Sequence, residues 1–127
     1  MGQGIAHVCA AAGVKTVLYD VDISIVEQGL EKIRANLDKG VALGKVTEND
    51  REATQSLIRG SSDLSAAVEG VPLVIEAAPE SIELKQKLFR MVEQRVGADT
   101  ILATNTSSLS IAQISEGMEF PTRFLGM

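Results

Sequence analysis

The sequence contains few cysteine, histidine and aromatic residues, and each scarcity excludes a class of structure. Its 127 residues include one cysteine, one histidine and no tryptophan, and aromatic residues make up 3%. A single cysteine excludes an internal disulfide and fits a reducing compartment. One histidine, one cysteine and scattered carboxylates match no ligand spacing of a metal site. The sequence therefore predicts a protein with neither a disulfide nor a metal centre.

Long hydrophobic runs and an excess of positive charge are also missing. No stretch approaches the roughly 18 apolar residues of a membrane helix, and the N-terminus lacks the basic and apolar regions of a signal peptide. The chain has 12 Lys and Arg against 17 Asp and Glu, a net charge of -5. Such a balance gives no electrostatic footprint for nucleic acid or an anionic membrane. We therefore expect a cytoplasmic protein that binds neither, although single cations can still meet a phosphorylated ligand.

What remains is the composition of one globular domain. Hydrophobic residues make up 45% and charged residues 23% of the chain, which argues against disorder. The length suits a single hydrophobic core. Because no internal repeat or low-complexity linker divides the sequence, we interpret residues 1–127 as one domain.

The first half of the sequence opens with a predicted helix and strand. Small residues over 2–12, followed by Gly13, are typical of a helix with a glycine after its last turn. The β-rich residues 14–19 predict a strand that ends at Asp20.

An amphipathic helix and a shorter helix are predicted next. Apolar residues recur at helical spacing and would form one buried face. They are Val26, Leu30, Ile33, Leu37 and Val41. Thr47 and Asp50 resemble a capping box that begins the shorter helix, and Gly60 is expected to interrupt the regular structure.

The second half predicts strands that alternate with helices. The apolar run 72–78 is typical of a strand buried on both faces. Ser81 is positioned to cap a helix whose apolar face would consist of Leu84, Leu88, Met91 and Val92. Shorter elements follow: a strand over 100–104, a short helix over 111–114 and the start of a strand over 124–127.

This alternation predicts an α/β fold with a parallel sheet. In such folds ligands bind beyond the carboxyl ends of the strands. That edge would hold Asp20, the 78–80 turn and the polar loop 105–108, so we expect the site there.

The glycines at the N-terminus and Asp20 suggest a nucleotide site. The opening MGQGIA leads directly into a helix, whose unpaired N–H groups and positive dipole end can hold a phosphate. Two glycines in a flexible tail are the alternative. Asp20 lies at the distance where a Rossmann domain places a carboxylate on the adenosine ribose, which favours NAD over NADP. The alternative for Asp20 is an ordinary turn residue.

Four segments then resemble the L-3-hydroxyacyl-CoA dehydrogenase family. VIEAAPESIELKQKLF (74–89) and ILATNTSSLSI (101–111) are the most specific. MGQGIAHVCAAAG (1–13) resembles the second half of the family's glycine motif GxGxMGxGIA, and PTRFLGM (121–127) the segment before its HFFNP. The resemblance covers essentially the whole chain, in the family's order.

The resemblance implies a Rossmann-like, doubly wound NAD-binding domain of an enzyme of fatty-acid or butanoate metabolism. That enzyme oxidises the 3-hydroxyl of an (S)-3-hydroxyacyl-CoA while hydride passes to NAD. By position, the resemblance assigns the following residues to the cofactor: Met1 and Gly2 near the pyrophosphate, Asp20 on the ribose, and Glu80, Lys85, Asn105 and Ser107.

The substrate contacts that the resemblance implies are Ser107 and Lys45. Ser107 would lie between the substrate oxygen and the cofactor, where a hydroxyl can donate to the developing ketone. Lys45 lies about where the family has a basic residue for the CoA nucleotide; a solvated lysine is the alternative. His7 has no counterpart among the family's catalytic residues and is interpreted as packing or surface. Glu76, inside an apolar strand, must find a partner.

Two parts of the family pattern are not in the sequence. The first strand and first glycines would precede Met1, so we expect the neighbouring strands to have unpaired backbone groups. HFFNP with the catalytic histidine, and the helical domain that usually mediates dimerisation, would follow Met127. We therefore expect the chain alone to be inactive and marginally stable, and its parent to be a homodimer. Two alternatives stay open: a dehydrogenase of a free hydroxy acid, and a non-catalytic NAD-binding module or degenerate fragment.

Overall fold

The computed structural model describes every residue from Met1 to Met127. The chain divides into two compact units, residues 1–67 and 68–127. Its strands form two parallel sheets, one of two strands and one of three. None of its helices combines the length and the apolar character needed to cross a bilayer.

The first unit contains the two-stranded sheet. Its elements are α1 (Gly2–Ala11), β1 (Thr16–Tyr19), α2 (Ile23–Ala42), α3 (Glu48–Leu57), β2 (Ile58–Ser61) and the beginning of α4 (Leu64–Val68). The two strands run parallel, with Leu18 opposite Gly60. The predicted helices and the first predicted strand of this half are confirmed.

Local chemistry sets the ends of these helices. Gly13 follows α1 with a φ of 90°, a left-handed conformation that glycine adopts without strain. Asp22 caps α2 by accepting from the Ser24 amide at 2.9 Å. Thr47 caps α3 in the same way, because its Oγ1 accepts from the Asp50 amide at 3.0 Å. The capping residue predicted for α3 is therefore confirmed.

The predicted apolar stripe of α2 forms part of the core of this unit. Val26, Ile33 and Leu37 are buried. Ile33 and Leu37 join Ala6 of α1 in one cluster, against which Leu18 of β1 also packs. Burial of this face, more than helix propensity, fixes the position of α2 on the sheet.

The prediction for Gly60 was wrong. Instead of interrupting the regular structure, Gly60 lies inside β2. A Cβ added at Gly60 would lie 2.3 Å from Val26 Cγ1 and 3.1 Å from Leu30 Cδ1. Because Gly60 has no side chain, α2 can pack closely against β2 at this position, as glycine inside a strand permits.

The second unit contains the three-stranded sheet. Its elements are β3 (Leu73–Glu76), α5 (Ile82–Glu93), β4 (Ile101–Thr104), α6 (Ile111–Ile114), a 3₁₀ turn (Pro121–Arg123) and β5 (Phe124–Gly126). The strands run parallel in the order β3, β4, β5. Parallel strands joined by helices confirm the α/β class. β1 and β3 each have one hydrogen-bonded neighbour.

The buried face of α5 agrees with the predicted one at Val92 but not at Leu84. Lys85, Phe89 and Val92 are its buried residues, whereas Leu84, predicted to be on the apolar face, is 41% exposed. Phe89 packs edge-on against Phe124 with ring centroids 4.8 Å apart. The hydrophobic pattern was misleading because one position of the buried stripe is a lysine. β3 likewise departs from burial on both faces, since Leu73 is exposed.

Candidate functional site

The polar ends of two neighbouring strands meet in the second unit. Glu76 ends β3 and Thr104 ends β4, and the parallel register sets them opposite each other. The Asn105 amide donates to the Glu76 carbonyl at 2.8 Å. The 78–80 turn and the 105–108 loop therefore leave the sheet side by side, as predicted, whereas Asp20, predicted at the same edge, follows β1 of the other sheet.

The Glu76 carboxylate is buried and fully hydrogen-bonded. Lys85 Nζ lies 2.8 Å from its Oε1 and 2.9 Å from its Oε2. Thr104 Oγ1 donates to Oε2 at 2.6 Å, and the Ala78 amide donates to Oε1. A buried carboxylate is tolerated only with such partners. The partner that Glu76 was expected to need is thus Lys85, supported by β4 and the turn.

The Lys85 side chain is completely inaccessible to solvent. Besides Glu76, its ammonium contacts the Ala78 carbonyl at 3.2 Å and Glu80 Oε1 at 3.4 Å. The structure therefore brings together Glu80 and Lys85, which the resemblance assigns to the cofactor. A bound molecule at this edge would meet Glu80 and not the buried ammonium, so we expect Lys85 to act on a cofactor through Glu80.

Glu80 joins the turn to the serine-rich loop. Its carboxylate is exposed, and its Oε2 accepts from Thr106 Oγ1 at 2.5 Å and from Ser108 Oγ at 3.1 Å. The hydrogen bond from Thr106 is the main reason that the pKa of Glu80 is lowered. Desolvation opposes it, and Ser108 and Lys85 lower the pKa further by smaller amounts. Glu80 is therefore held as a carboxylate.

Ser107 lies between these two bound hydroxyls and is exposed. Its own hydroxyl has no hydrogen-bond partner within the protein. Thr106 also accepts from the Leu109 amide at 3.2 Å, so the backbone around Ser107 forms a defined turn. The arrangement offers an oriented loop with one free hydroxyl donor. Asn105, half-buried beside it, lies at the same edge.

The remaining predicted site residues lie in the first unit. Asp20 follows β1, and its Oδ1 accepts from the Asp22 amide at 3.1 Å. The turn role considered for Asp20 is therefore present, while Oδ2 has no partner within the protein. Met1 and Gly2 lie at the beginning of α1, which has no side-chain cap. Lys45 is exposed, in the turn between α2 and α3, without an ion pair.

Sequence reasoning did not assign Glu76, Thr104, Thr106 or Ser108 to the site. The signal for Glu76 was its place in an apolar strand. The signal for Thr106 and Ser108 was their position on either side of Ser107 in TNTSS. Their contacts with residues 26 to 28 positions away depend on strand pairing and cannot be read from spacing.

Known proteins resemble this chain over its whole length. Residues 1–127 match the model of the family described as 3-hydroxyacyl-CoA dehydrogenase, NAD binding domain. The 3-hydroxyadipyl-CoA dehydrogenase of Escherichia coli is 36% identical over 100% of this chain and 26% of its own length. The crystal structure of (S)-3-hydroxybutyryl-CoA dehydrogenase from Ralstonia eutropha superposes with a TM-score of 0.95 at 35% identity, covering 100% of this chain and 44% of that one.

A further structural relative acts on different compounds. The structure of a diketoreductase, which acts on dicarbonyl compounds, has a TM-score of 0.85 at 30% identity, covering 98% of this chain and 44% of that one. The chain thus spans between about a quarter and a half of the length of these relatives. The fold is the Rossmann-like fold of these dehydrogenases, and the chain belongs to the 3-hydroxyacyl-CoA dehydrogenase family, whose NAD-binding domain it matches from end to end.

Proposed function

We propose that this chain is the NAD-binding part of an enzyme that oxidises the 3-hydroxyl of an (S)-3-hydroxyacyl-CoA to a ketone. The observation that carries the proposal is Ser107, whose unpaired, exposed hydroxyl stands in a loop fixed by Glu80. A hydroxyl held there can donate to the substrate oxygen as it becomes a ketone. NAD, when bound, supplies the hydride acceptor.

The groups of each unit fit parts of a dinucleotide. In the first unit, the uncapped N-terminus of α1 at Met1 and Gly2 suits a pyrophosphate, and the free Oδ2 of Asp20 suits ribose hydroxyls. In the second unit, Glu80 and Asn105 offer polar atoms beside Ser107. We propose that each set of groups contacts the cofactor within its own unit, and that the buried Lys85 holds Glu80 in place.

The hydroxyl proton needs an acceptor that we expect to lie outside residues 1–127. The second unit contains no histidine, and His7 lies in α1 of the first. Lys45, exposed and unpaired, is the cation that we propose for the CoA nucleotide. We also propose that the parent protein is a cytoplasmic homodimer that binds no nucleic acid or membrane; the acidic net charge and the family resemblance support this proposal.

The role of Ser107 is tested by turnover. The test compares the wild-type protein that carries this chain with its Ser107→Ala variant, using acetoacetyl-CoA and NADH. Removal of a single donor to a developing oxyanion typically lowers kcat by on the order of 100-fold to 1000-fold. A Ser110→Ala variant, a matched serine at the beginning of α6, is expected to keep kcat within about twofold. Equal activity of the wild-type and Ser107→Ala proteins would remove the role proposed for Ser107.

The choice between dinucleotides is tested by binding. The wild-type chain should bind NADH more tightly than NADPH, because the Asp20 carboxylate repels a 2′-phosphate. In Asp20→Ala we expect this preference to fall by on the order of 10-fold, about 1.4 kcal/mol. Glu27→Ala, an exposed carboxylate on α2, is the control. A preference that is unchanged in Asp20→Ala would exclude the ribose contact.

A free carbonyl compound is the second candidate substrate. The likeness to a diketoreductase favours it, since that relative acts on dicarbonyl compounds. Comparing acetoacetyl-CoA with free acetoacetate separates the two, because only the first presents a CoA nucleotide. Binding of NADH with turnover of neither would favour a non-catalytic NAD-binding module.

A further inference from the structure

The hydroxyls on either side of Ser107 each have a hydrogen-bond partner within the protein, whereas the Ser107 hydroxyl has none. Thr106 Oγ1 and Ser108 Oγ both donate to the same carboxylate oxygen, Oε2 of Glu80, at 2.5 Å and 3.1 Å. Ser107, between them, donates to nothing within the protein. One carboxylate thus holds both neighbours of Ser107 and leaves Ser107 itself available to a ligand.

Thr106 is the centre of this arrangement. While its hydroxyl donates to Glu80, the same oxygen accepts from the amides of Ser108 at 3.4 Å and Leu109 at 3.2 Å. A hydroxyl that donates in one direction and accepts in the other fixes the loop backbone relative to the 78–80 turn. Ser108 adds a second, longer contact to the same oxygen.

The Glu80 carboxylate, which accepts from both hydroxyls, also forms an ion pair with the buried Lys85. Lys85 Nζ lies 3.4 Å from Glu80 Oε1, the oxygen that the loop does not use. Lys85 is in turn held by the buried Glu76. Oε1 of Glu80 therefore contacts the buried Lys85, and Oε2 accepts hydrogen bonds from the two hydroxyls of the loop. Lys85 is the charged group that forms an ion pair with Glu80.

We propose that Thr106 and Ser108 are positioning residues that, through Glu80, keep the Ser107 hydroxyl directed away from the protein and toward the substrate oxygen. This inference rests on the proposed function, since it assumes that Ser107 donates to substrate. Without the Thr106 hydroxyl, Glu80 Oε2 loses its shortest partner, and the Ser107 hydroxyl becomes free to donate to Glu80 instead. The reacting geometry would then be lost although every substrate-contacting group is still present.

The test compares Thr106→Val, which removes the hydroxyl at nearly constant shape, with Thr106→Ser, which restores it. Both are made in the protein that carries this chain and are assayed with acetoacetyl-CoA and NADH. We expect Thr106→Val to lower kcat by on the order of 10-fold with little change in the KM for NADH, because a misplaced donor weakens the transition state more than cofactor binding. Thr106→Ser should recover kcat to within about twofold of wild type. Thr122→Val, an exposed threonine in the 3₁₀ turn, is the matched control.

A second measurement reads the geometry without turnover. In a carboxyl NMR titration, the pKa of Glu80 should rise toward its ordinary value in Thr106→Val, since the hydrogen bond that lowers it most is gone. It should stay low in Thr106→Ser and Thr122→Val. A kcat or a Glu80 pKa that is unchanged in Thr106→Val would overturn the positioning role and leave the proposed function standing. A wild-type protein that reduces neither acetoacetyl-CoA nor free acetoacetate would overturn both.

Discussion

At the scale of single residues, the unusual choice in this chain is a lysine at the centre of a buried surface. Lys85 is fully buried on α5 and is neutralised by Glu76, itself 4% exposed. Burying such a pair brings little net stability, because desolvation offsets most of the attraction. The ammonium also contacts the Ala78 carbonyl and Glu80, so it links α5 to the 78–80 turn. The pair therefore links the beginning of the candidate site to the core of the second unit.

Replacing one member of the Glu76–Lys85 pair should lower the free energy of unfolding far more than replacing both members. Lys85→Met leaves a buried carboxylate without its counter-ion, and we expect a loss of about 3–5 kcal/mol in the free energy of unfolding. The double variant Glu76→Leu/Lys85→Met should recover much of that loss. Urea denaturation of the single and double variants measures the coupling. Lys87→Met, on the exposed side of the same helix, is the control.

Additive losses in the double variant would contradict this account. They would mean that Glu76 and Lys85 stabilise the protein independently, through Thr104 and the Ala78 carbonyl respectively. A loss in Lys85→Met no larger than in Lys87→Met would show that the pair is solvated in solution.

At the scale of elements, the contact between α2 and β2 depends on the missing side chain of Gly60. A Cβ at that position would lie 2.3 Å from Val26 Cγ1. We expect Gly60→Ala to lower the free energy of unfolding by about 1–3 kcal/mol, as overpacking does. Combining it with Val26→Ala should restore part of the loss by opening the space. Thermal or urea unfolding measures both.

Gly4→Ala is the control for this prediction. Gly4 lies in α1, and nothing stands within 4 Å of a Cβ added there, so alanine should stabilise the helix by up to about 1 kcal/mol. If Gly60→Ala proved as harmless as Gly4→Ala, α2 would not rest on β2 as closely as the structure has it.

Elements whose local and tertiary signals agree could be predicted from the sequence. The stripe of α2, the Thr47 cap of α3 and the Ser81 cap of α5 each depend on residues a few positions apart. Strand β2 could not be predicted, because its sequence IRGS contains Gly60. A glycine disfavours a strand, and this one is explained only by the close packing of α2 against it. The buried face of α5 could not be predicted either. A lysine on a helix is normally expected to be solvated, and the partner that allows Lys85 to be buried, Glu76, lies on a different element.

The candidate site, too, could be predicted from the sequence only in part. The resemblance assigns Ser107 and Asn105 to the site, which stays a prediction, and Glu80 and Lys85 lie together as the motif implied. The contacts that organise them, from Thr104 and Thr106, cross from one strand end to the next. Such contacts are set by the register of β3 and β4, which the sequence does not specify locally.

At the scale of the whole molecule, we expect the proton acceptor of the proposed reaction to lie outside residues 1–127. The second unit carries the candidate hydrogen-bond donor Ser107 but no histidine, and the single histidine lies in α1. The two carboxylates of the candidate site in the second unit, Glu76 and Glu80, are both occupied as hydrogen-bond acceptors. A secondary alcohol gives up its proton efficiently only to a base with a suitable pKa within hydrogen-bond reach. We therefore expect the 127-residue chain to bind NAD without completing the proposed reaction.

The purified 127-residue chain should accordingly bind NADH and yet show no turnover of acetoacetyl-CoA above a blank without protein. Binding is measured by the change in NADH fluorescence, and turnover by loss of NADH absorbance over hours at high protein concentration. Turnover in the wild-type chain that disappears in Ser107→Ala would contradict the prediction, because it would place a working proton donor within these residues. Turnover that persists in Ser107→Ala would indicate a contaminating dehydrogenase. Binding of NADH without turnover would agree with a proton acceptor that lies outside residues 1–127.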